Sequence, residues 1–599
     1  MNRKRALRAF HVLIFIATLL AIEGGKIAWL QLALGGARTV GASLVTEAIT
    51  QRSDGLIIDP GRGQFRDRNG RLLTGETVQS LVAFPIDGAA RGSQQSIERV
   101  AAILGVKANQ FEAWLANLRE PAPWKSALSK AAVQLTDTQI QAVNDAGLTG
   151  VAVLPYVNRY PSSFTPLHAI GYISQHPERL QLMNDLQRSE EALALNSMIG
   201  GAGLERSLDR ILRGIGETKV YQTTDAKRQP LEGIGLRVNR EDNGYYPVQI
   251  ITTIDLDVQM SIEKLLQSKS IQKGAVVVLD TTNADVIAMV SLPQFDPYSI
   301  GKIGSDERNH AITAAPPGSI FKTVTLAAAL ESGVTTWDER FICKGEYAKY
   351  GLKCWKPGGH GRLSLKEAYA KSCNVVFAEL AERMDPAWLQ ITGDRLGLGR
   401  EIGWRTDKFI DGKPLQLLGE EEAGKIFTNK KNAQDGGVRA GSGIGQRDVR
   451  VTPLQAANMV VSIIHDGHVR APRIVSEIRY ENGSVMKKLA VQDATSTYGH
   501  ITARTAATIR EGMTAVVHEG TAKHALVASV WPLAGKSGTA ELAGKLQARN
   551  DQWFVGYGPA KGIARYAVAV LIEDQSDGMR NRATELFGDI MKLLRLQGE

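Results

Sequence analysis

One short segment constrains the fold of this chain more than any other, the stretch from Pro316 to Lys322, which reads PPGSIFK. The two prolines and the glycine in this segment end any regular secondary structure that precedes it. The apolar run 323–331 that follows is typical of a helix, and Gly333 is a plausible end for that helix. Ser319 is therefore predicted in the first turn of that helix, with Lys322 three residues later on the same face. A hydroxyl beside an amine at a helix N-terminus is a nucleophile with a base next to it, and the helix dipole there disfavours a protonated lysine.

The Ser-x-x-Lys pattern by itself is not specific. It recurs at four other positions, where solvated surface residues are the simpler interpretation: Ser261, Ser270, Ser299 and Ser484. Two later segments distinguish Ser319 from them, Ser-Cys-Asn at 372–374 and Lys-Ser-Gly-Thr at 536–539. An ordered trio of this kind is typical of class A β-lactamases and penicillin-binding proteins.

Length and charge narrow the class of protein. A chain of 599 residues is long enough for two or more domains. Its formal net charge of +9 would suit nucleic acid, anionic lipid or an anionic cell-wall polymer. Because zinc-finger spacing, an RNA-binding aromatic signature and a dense basic helix are all missing from the sequence, a nucleic-acid partner is not expected.

The N-terminus predicts a membrane anchor. Four basic residues precede an apolar run over 9–22, and a second apolar run follows Glu23 and Lys26. This pattern predicts a cytoplasmic tail at 1–8, a transmembrane anchor at 9–34 and a translocated remainder. A cleaved signal peptide is the alternative, with small residues at 35–37 as the cut site.

The chain contains three cysteines, Cys343, Cys354 and Cys373. In an oxidising compartment Cys343 and Cys354 could close a small loop as a disulfide, although sequence alone does not decide this. Cys373 is interpreted as a small buried filler. No metal-ligand spacing is recognised, so neither a metal nor a cofactor is expected.

The trio and several upstream motifs together resemble class B penicillin-binding proteins over most of the chain, from about Arg62 to Ile572. The upstream motifs are similar to the pedestal domain of that family and are expected to have a structural role and no catalytic one: 62–73, 158–161 (NRYP), 168–172 (HAIGY) and 203–206 (GLER).

Two further positions are interpreted through the same resemblance. His360 lies in a Gly-His-Gly sequence that the family also has outside the trio, and it is expected to be structural. The chain departs from the family at Arg447, where a glycine usually follows Gly-Gln, and this puts the local loop shape in doubt.

The predicted fold class is α+β. A pedestal at 35–250 would carry a transpeptidase domain at 251–599, in which helices sandwich an antiparallel sheet, with a surface insertion at about 400–440. The sheet strands are predicted as a hairpin at 274–280 and 285–291 and as a closing pair at 551–558 and 566–572, followed by a helix at 582–596. Short helices are predicted at 97–104, 109–118 and 136–146, and a strand, an Asn-Gly turn and a second strand at 62–73.

The resemblance implies roles for the first two motifs. Ser319 would attack a D-Ala-D-Ala carbonyl and form an acyl-enzyme. Lys322 would be the general base, which requires a lowered pKa, because no glutamate base is evident in the sequence. Ser372 would pass a proton to the leaving amine, and Asn374 would orient Lys322 and bind the substrate amide.

The third motif is implied to bind substrate. Lys536 would supply positive charge to the terminal carboxylate from an exposed strand edge, and the hydroxyls of Ser537 and Thr539 would add hydrogen bonds. Gly538 would leave room for a substrate strand. The backbone N–H groups of Ser319 and Thr539 would form the oxyanion hole.

The resemblance thus implies a single-span peptidoglycan D,D-transpeptidase of the bacterial inner membrane that faces the periplasm, cross-links stem peptides and is acylated by β-lactams. With no glycosyltransferase domain, it would depend on a membrane-embedded glycan polymerase. The alternatives are a serine β-lactamase or β-lactam sensor, a non-catalytic member of a cell-wall complex, and a D,D-carboxypeptidase. Sequence does not separate the acyl acceptors, nor elongation from division or sporulation.

Overall fold

The computed structural model describes residues 3–598 apart from 37–52, 128, 162–163, 188–192, 194, 226–228, 232–234, 241–242 and 543–547. Its chain forms two compact units. The N-terminal unit comprises Met1–Gly61, Thr77–Asn158 and Gly216–Asp242, and the C-terminal unit comprises Arg62–Glu76, Arg159–Ile215 and Asn243–Glu599. Three segments of the predicted pedestal belong to the C-terminal unit, 62–76, 159–215 and 243–250.

The N-terminal unit contains two three-stranded sheets with short helices. Its elements in chain order are the helix Arg3–Gly36, the strands Ser53–Asp59 and Glu76–Ala83, the 3-10 turn Gly88–Ala90, the helices Gln94–Ile103 and Ala108–Ala116, the strand Ala122–Pro123, the helix Asp137–Asp145, and the strands Val151–Asn158, Thr218–Thr223 and Arg237–Asn239. The three short helices predicted from periodicity are confirmed. Ser93 and Thr136 cap the first and last of them, and Val100 and Phe111 lie in their shared core.

Large apolar side chains of the first helix are exposed. Phe10, Leu13, Phe15 and Leu20 are each exposed by 61–67%. Among the described residues, no helix has the length and the apolar character that crossing a bilayer requires, so the predicted transmembrane anchor is not confirmed. Ala37 of the alternative cut site lies outside the described residues.

The C-terminal unit holds the remaining elements. Upstream of the large sheet these are the strand Gln64–Arg66, the helix Leu167–Ile170, the strand Ile173–Gln175, the helix Pro177–Gln187, the strand Met198–Gly200, the helices Gly203–Ser207 and Asp209–Leu212, the strand Gln249–Thr252 and the helix Leu256–Ser268. From the sheet onward they are the strands Gly274–Asp280 and Val286–Leu292, the 3-10 turn Gly318–Phe321, the helix Lys322–Glu331, the strands Arg340–Cys343 and Glu346–Tyr347, the 3-10 turn Ala348–Tyr350, the strands Leu352–Lys353 and Gly361–Ser364, and the helices Leu365–Ala370, Asn374–Arg383 and Ala387–Arg395. The last are the strands Arg405–Thr406 and Leu415–Gln416, the helices Lys430–Gln434, Gly436–Gly443 and Pro453–Ile464, the strands Val475–Arg479 and Val485–Lys488, the helices Ala503–His518 and Lys523–Leu526, the strands Ala534–Glu541, Arg549–Gly558 and Tyr566–Ser576, and the helix Arg582–Gly598.

A five-stranded sheet forms the centre of this unit. Its strands lie in the order Val286–Leu292, Gly274–Asp280, Tyr566–Ser576, Arg549–Gly558 and Ala534–Glu541, and each neighbouring pair is antiparallel. The predicted hairpin and closing strands are therefore confirmed. The strand that carries the Lys-Ser-Gly-Thr motif lies at one edge, so one side of its backbone is not paired within the sheet.

Helices cover both faces of this sheet. The inner strand Arg549–Gly558 is buried at every position but the first, which requires cover on both sides. Arg582–Gly598 packs on this strand and on its neighbour, as does Pro453–Ile464, which starts at a capping box formed by Thr452. The predicted α+β class, with an antiparallel sheet between helices, is confirmed for this unit.

The structure corrects the predicted second strand within 62–73. Gln64–Arg66 pairs in parallel with Gln249–Thr252, and only an isolated bridge joins Arg66 to Leu72. The reason is the side chain of Asp67, which accepts hydrogen bonds from the backbone N–H groups of Asn69 and Arg71 and so closes a local turn.

The stretch from 400 to 440 is only partly the surface insertion that its polar composition indicated. Trp404, Leu417 and Ile426 are buried by 97–100% and belong to the main hydrophobic core. These apolar residues are separated by polar ones, so the sequence alone does not show that they belong to the core.

Three of the upstream motifs meet in one buried ion cluster. Glu205, which is fully buried, accepts hydrogen bonds from the guanidinium groups of Arg62 (2.8 Å) and Arg159 (2.6 Å). Arg62 also pairs with Asp209 at 2.9 Å, and Arg159 donates to the backbone carbonyl of Gly63 at 2.7 Å. The motifs at 62–73, 158–161 and 203–206 are thus joined by charge, in keeping with the structural role expected of them.

Replacing Glu205 tests this cluster. Glu205→Gln removes the carboxylate that both buried guanidinium groups, of Arg62 and Arg159, contact. We therefore expect the free energy of unfolding, measured by urea denaturation, to fall by about 3–5 kcal/mol. The matched control is Glu420→Gln, because Glu420 pairs with Arg206 at 3.1 Å on the surface and its loss should lower stability by at most about 1 kcal/mol. Equal effects of the two substitutions would show that the buried cluster has no special role.

Candidate active site

Ser319 lies on a short turn that leads directly into a helix. The 3-10 turn Gly318–Phe321 precedes the helix Lys322–Glu331, and the backbone N–H of Lys322 donates to the carbonyl of Ser319. The serine therefore lies just before the helix rather than within its first turn. Ser319 is half-buried, whereas Lys322 is completely buried.

The amine of Lys322 is held by the second motif. Its Nζ donates to the carbonyl of Ser372 at 2.8 Å, to the Ser372 hydroxyl at 3.2 Å and to Oδ1 of Asn374 at 2.6 Å. All three partners are neutral. Burial lowers the pKa of Lys322 to about 7, so a large fraction of the amine is unprotonated near neutral pH and can accept a proton.

Lys536 approaches the same hydroxyl from the edge strand. Its Nζ donates to Oγ of Ser372 at 2.9 Å and to the carbonyl of Ser537 at 2.8 Å. Its strand lies at the edge of the sheet, but the Lys536 side chain itself is fully buried. Burial, together with the nearby charge of Lys322, places the pKa of Lys536 well below its usual value.

The Ser372 hydroxyl therefore lies between two buried amines. Its residue forms the connection between the helices Leu365–Ala370 and Asn374–Arg383 and has a left-handed backbone with φ of 54°. Serine adopts this conformation at a cost of about 1–2 kcal/mol. Strained backbone of this kind persists where the surroundings hold it and is common at functional sites.

The backbone of the edge strand touches the turn that carries Ser319. A Cβ on Gly318 would lie 2.3 Å from the carbonyl oxygen of Thr539, and one on Gly538 would lie 2.9 Å from that of Pro317. Both positions therefore require glycine. The indole of Trp553 fixes the same turn by donating to the carbonyl of Pro316 at 2.8 Å. Ser319 and Thr539 thus share one edge of the sheet, while an oxyanion hole at their N–H groups remains a prediction.

A residue that the sequence did not suggest completes this edge. Oγ1 of Thr521 and Oγ of Ser537 are 2.6 Å apart, and the N–H of Thr521 donates to the carbonyl of Ala370. Thr539 is exposed, whereas Ser537 is buried. Thr521 follows an ordinary helix in a Gly-Thr-Ala stretch, so no local signal could have identified it.

Arg447, where the family usually has glycine, adopts a backbone conformation that suits glycine. Arg447 has φ of 59°, the left-handed conformation that a glycine would adopt readily. The preceding Gly445 lies so close to the turn that a Cβ on it would be 1.8 Å from the carbonyl oxygen of Gly318. The loop therefore packs against the nucleophile turn despite the substitution.

The three cysteines are free thiols in the structure, so the considered disulfide between Cys343 and Cys354 is not formed. Instead, the ligand atoms of Cys343, Cys354, His360 and Cys373 all lie within 4.8 Å of one another. These four residues could hold a metal ion, which was not expected from the sequence. Their separation along the chain matches none of the short zinc motifs.

Family models cover most of the chain. Residues 274–592 match the penicillin-binding protein transpeptidase domain, and residues 57–235 match the penicillin-binding protein dimerisation domain. The first match includes all three motifs of the site.

Curated relatives extend over most of this chain. Stage V sporulation protein D of Bacillus subtilis is 26% identical over 92% of this chain and 79% of its own length. Peptidoglycan D,D-transpeptidase MrdA of Haemophilus influenzae is 27% identical over 88% and 83%. Peptidoglycan D,D-transpeptidase PbpA of Mycolicibacterium smegmatis is 30% identical over 63% and 75%.

Solved structures share the fold. One, described as "Structural coordination of polymerization and crosslinking by a peptidoglycan synthase complex", has a TM-score of 0.66 and 23% identity over 99% of this chain and 98% of that one. A penicillin-binding protein (PBP2) of Helicobacter pylori, solved with MreC, has a TM-score of 0.63 and 20% identity over 91% and 99%. With two matching domain models and a Ser-Lys, Ser-Asn and Lys-Ser-Gly site assembled at one sheet edge, the chain belongs to the penicillin-binding proteins, with the domain pair of class B.

Proposed function

We propose that this protein is a membrane-anchored peptidoglycan D,D-transpeptidase that acts through a Ser319 acyl-enzyme. The observation that carries the proposal is the pair of buried lysines around the Ser372 hydroxyl. Because Lys322 has neutral partners and a pKa lowered to about 7, it can serve as the base that a serine nucleophile requires.

Acylation begins with proton transfer. Neutral Lys322 takes the proton of the Ser319 hydroxyl while Oγ bonds to the carbonyl carbon of the penultimate D-alanine. The backbone N–H groups of Ser319 and Thr539 donate hydrogen bonds to the carbonyl oxygen as negative charge develops on it, and each such donor contributes about 2.7–4 kcal/mol in comparable enzymes.

Collapse of the tetrahedral intermediate breaks the peptide bond. The leaving amine of the terminal D-alanine must gain a proton, and the Ser372 hydroxyl can supply it, since Lys322 and Lys536 lie within 3.2 Å on either side to replace it. In the second half of the reaction an amine of another stem peptide attacks the acyl-enzyme and loses a proton by the reverse route. The new amide is the cross-link.

The edge strand is the proposed platform for the donor peptide. Ala534–Glu541 pairs on one side only, so an extended peptide can add to its other side. Thr539 is exposed, and its hydroxyl is proposed to bind the terminal carboxylate. The Thr521 hydroxyl holds the Ser537 hydroxyl in position. The amine of Lys536 is proposed to act through its hydrogen bond to Ser372.

The proposed domain organisation follows the sequence: a cytoplasmic tail at 1–8, an anchor at 9–34, a pedestal at 35–250 and the transpeptidase domain at 251–599. The exposed apolar side chains from Phe10 to Ile22 support insertion into the inner membrane, with the catalytic domain in the periplasm. Stem peptides and β-lactams are the proposed ligands. The solved peptidoglycan synthase complex supports a membrane-embedded glycan polymerase as partner.

Labelling with a fluorescent penicillin tests the nucleophile. We expect Ser319→Ala to abolish covalent label, because no acyl-enzyme can form, whereas wild-type protein keeps the label for many minutes. Ser484→Ala is the matched control, since it removes another Ser-x-x-Lys serine and should label normally. Label on Ser319→Ala would refute the assignment, and rapid release from wild type would favour a β-lactamase.

The pH dependence of acylation tests Lys322. Because the unprotonated amine is the base, the second-order rate of penicillin acylation should be level above pH about 7 and fall about tenfold per pH unit below it. Lys322→Arg keeps a charge but cannot deprotonate, so the rate should lie at least about 100-fold below the wild-type plateau and should not rise through pH 7. A rate independent of pH from about 5 to 9 in wild type would contradict a lysine base.

Asn374→Asp tests the neutral surroundings of that base. A carboxylate 2.6 Å from Nζ favours the protonated amine, so the midpoint of the acylation profile should move to higher pH by about 1–3 units. Asn482→Asp, in a surface turn, is the control and should leave the midpoint unchanged. If the midpoint of the acylation profile is unchanged, or moves to lower pH, the pKa of Lys322 does not determine it.

A further inference from the structure

We propose that Lys344, Lys353 and Lys356 form a cationic surface that binds a carboxylate of the acceptor stem peptide beside Ser372. This inference rests on the proposed transpeptidase function and adds to it a site for the second substrate. The segment 344–362, which carries the three lysines, contains five Lys or Arg residues and one acidic residue, Glu346. A surface with such an excess of positive charge attracts anionic ligands.

The fold brings the three lysines onto neighbouring backbone segments. The N–H of Cys354, the residue after Lys353, donates to the backbone carbonyl of the residue after Lys344 at 2.8 Å. The N–H of Gly359 donates to the carbonyl of Lys356 at 3.0 Å, and a Cβ on Gly359 would lie 2.7 Å from the carbonyl carbon of Lys344. All three lysines are exposed, so their amines face solvent from one small region of the C-terminal unit.

The charges of the three lysines are not neutralised by carboxylates. Within the described part of the chain, none of their amines takes part in an ion pair, whereas Lys349 of the same segment pairs with Glu382. Glu346 lies opposite Lys353 in the hairpin register, but the described structure contains no ion pair between them. The cationic surface is therefore free to pair with an anion from another molecule.

The hairpin that carries the lysines is fixed to the helix Asn374–Arg383, which follows the Ser372 loop. Glu382 of this helix accepts hydrogen bonds from the hydroxyls of Tyr347 and Tyr350, the latter at 2.6 Å, and from the amine of Lys349. Because these contacts already hold the backbone, an anion that binds the cationic surface does not have to order it, and this lowers the cost of binding.

The cationic surface lies beside the group that the acceptor amine must reach. In the proposed second half of the reaction this amine passes its proton to the Ser372 hydroxyl, so the acceptor has to enter next to Ser372. Nδ2 of Asn374 donates to the backbone carbonyl of Lys353 at 3.0 Å. The indole of Trp355 donates to the carbonyl of Lys371, the residue before Ser372, also at 3.0 Å. The lysine segment therefore packs directly against both ends of the Ser372 loop.

The acceptor brings a matching negative charge. Donor and acceptor are both stem peptides in the proposed reaction, so an acceptor with an intact D-Ala-D-Ala end carries a terminal carboxylate in addition to its attacking amine. The carboxylate of the donor is assigned to the edge strand at Thr539, which leaves the acceptor carboxylate to pair with cations on another element. Because exposed ion pairs are individually weak, we expect the three lysines to improve acceptor binding by several-fold rather than by orders of magnitude.

The simpler interpretation is that the three lysines are solvated and bind nothing. That interpretation explains their exposure, but it does not explain their clustering without carboxylate partners next to the loop that carries Ser372. An anionic lipid headgroup is the other ligand of matching charge. A protection experiment distinguishes the lipid from the acceptor.

Two matched acceptors test the cationic surface in the full chain in detergent, with a D-alanyl thioester as acyl donor. One acceptor is a short peptide with a free amine and a terminal carboxylate, and the other is the same peptide with an amidated terminus. At about 50 mM salt we expect the carboxylate acceptor to half-saturate aminolysis at an about threefold to tenfold lower concentration. At about 0.5 M salt this preference should shrink to less than about twofold, because salt screens exposed charges. Equal half-saturation at low salt would overturn the proposal.

Substitution of the lysines tests their assignment. A variant that carries K344Q, K353Q and K356Q together should prefer the carboxylate acceptor by less than about twofold at low salt. The matched control removes three other exposed lysines and should keep the wild-type preference: K487Q, K488Q and K561Q. The proposal is wrong if the first variant keeps the preference, or if the control loses it to the same extent.

Lysine acetylation maps the contact without measuring the reaction. A form of the carboxylate acceptor whose amine is already acetylated cannot consume the reagent. When it occupies half of the sites, it should slow acetylation of Lys353 and Lys356 about twofold by mass spectrometry and leave that of Lys488 unchanged. If short-chain phosphatidylglycerol protects these lysines and the peptide does not, the surface binds lipid and the proposal is overturned.

Penicillin labelling of wild type separates the two proposals. If Ser319 is labelled but the two acceptors half-saturate at the same concentration, the acceptor surface fails and the transpeptidase proposal stands. If Ser319 is not labelled, the proposed function itself fails, and the acetylation pattern still decides whether the three lysines bind the carboxylate peptide.

Discussion

The active site depends on one hydroxyl shared by two buried amines. Lys322 and Lys536 both donate to Oγ of Ser372, and both are completely shielded from solvent. Two full positive charges so close together without a carboxylate among these partners are unfavourable, and the loss of a proton relieves the conflict. Burial lowers the pKa of Lys322 to about 7, so that its neutral amine is available to deprotonate a serine near neutral pH.

The rest of the C-terminal unit maintains this arrangement. The five-stranded sheet positions Lys536 on its edge strand, and close glycine contacts press the Ser319 turn against that strand. The connection between two helices supplies Ser372 in a strained conformation. Farther away, Glu205 ties three upstream segments together through buried ion pairs, which contributes stability rather than chemistry.

Much of this could be predicted because the chemistry is concentrated in short local motifs. The proline and glycine before Ser319, the β-branched strand at 274–280 and the closing strands all have strong local signals. The burial of Lys536 could not be predicted, because it depends on helices far away in sequence covering the sheet. The contact of Thr521 with Ser537 and the convergence of His360 on three cysteines likewise arise only when distant segments pack together. A turn stands where a strand was expected, because the Asp67 side chain accepts hydrogen bonds from backbone N–H groups that strand pairing would otherwise use.

The charge state of Lys322 is the central claim, and it can be measured directly. Protein with ¹⁵N in the lysine side chains can be titrated by NMR, with the resonance assigned by its absence from Lys322→Arg. The structure predicts a pKa of about 7 for this amine. A pKa that remains near the ordinary lysine value of 10.5 would mean that the amine is protonated throughout the working range, and Lys322 could not then be the base that activates Ser319.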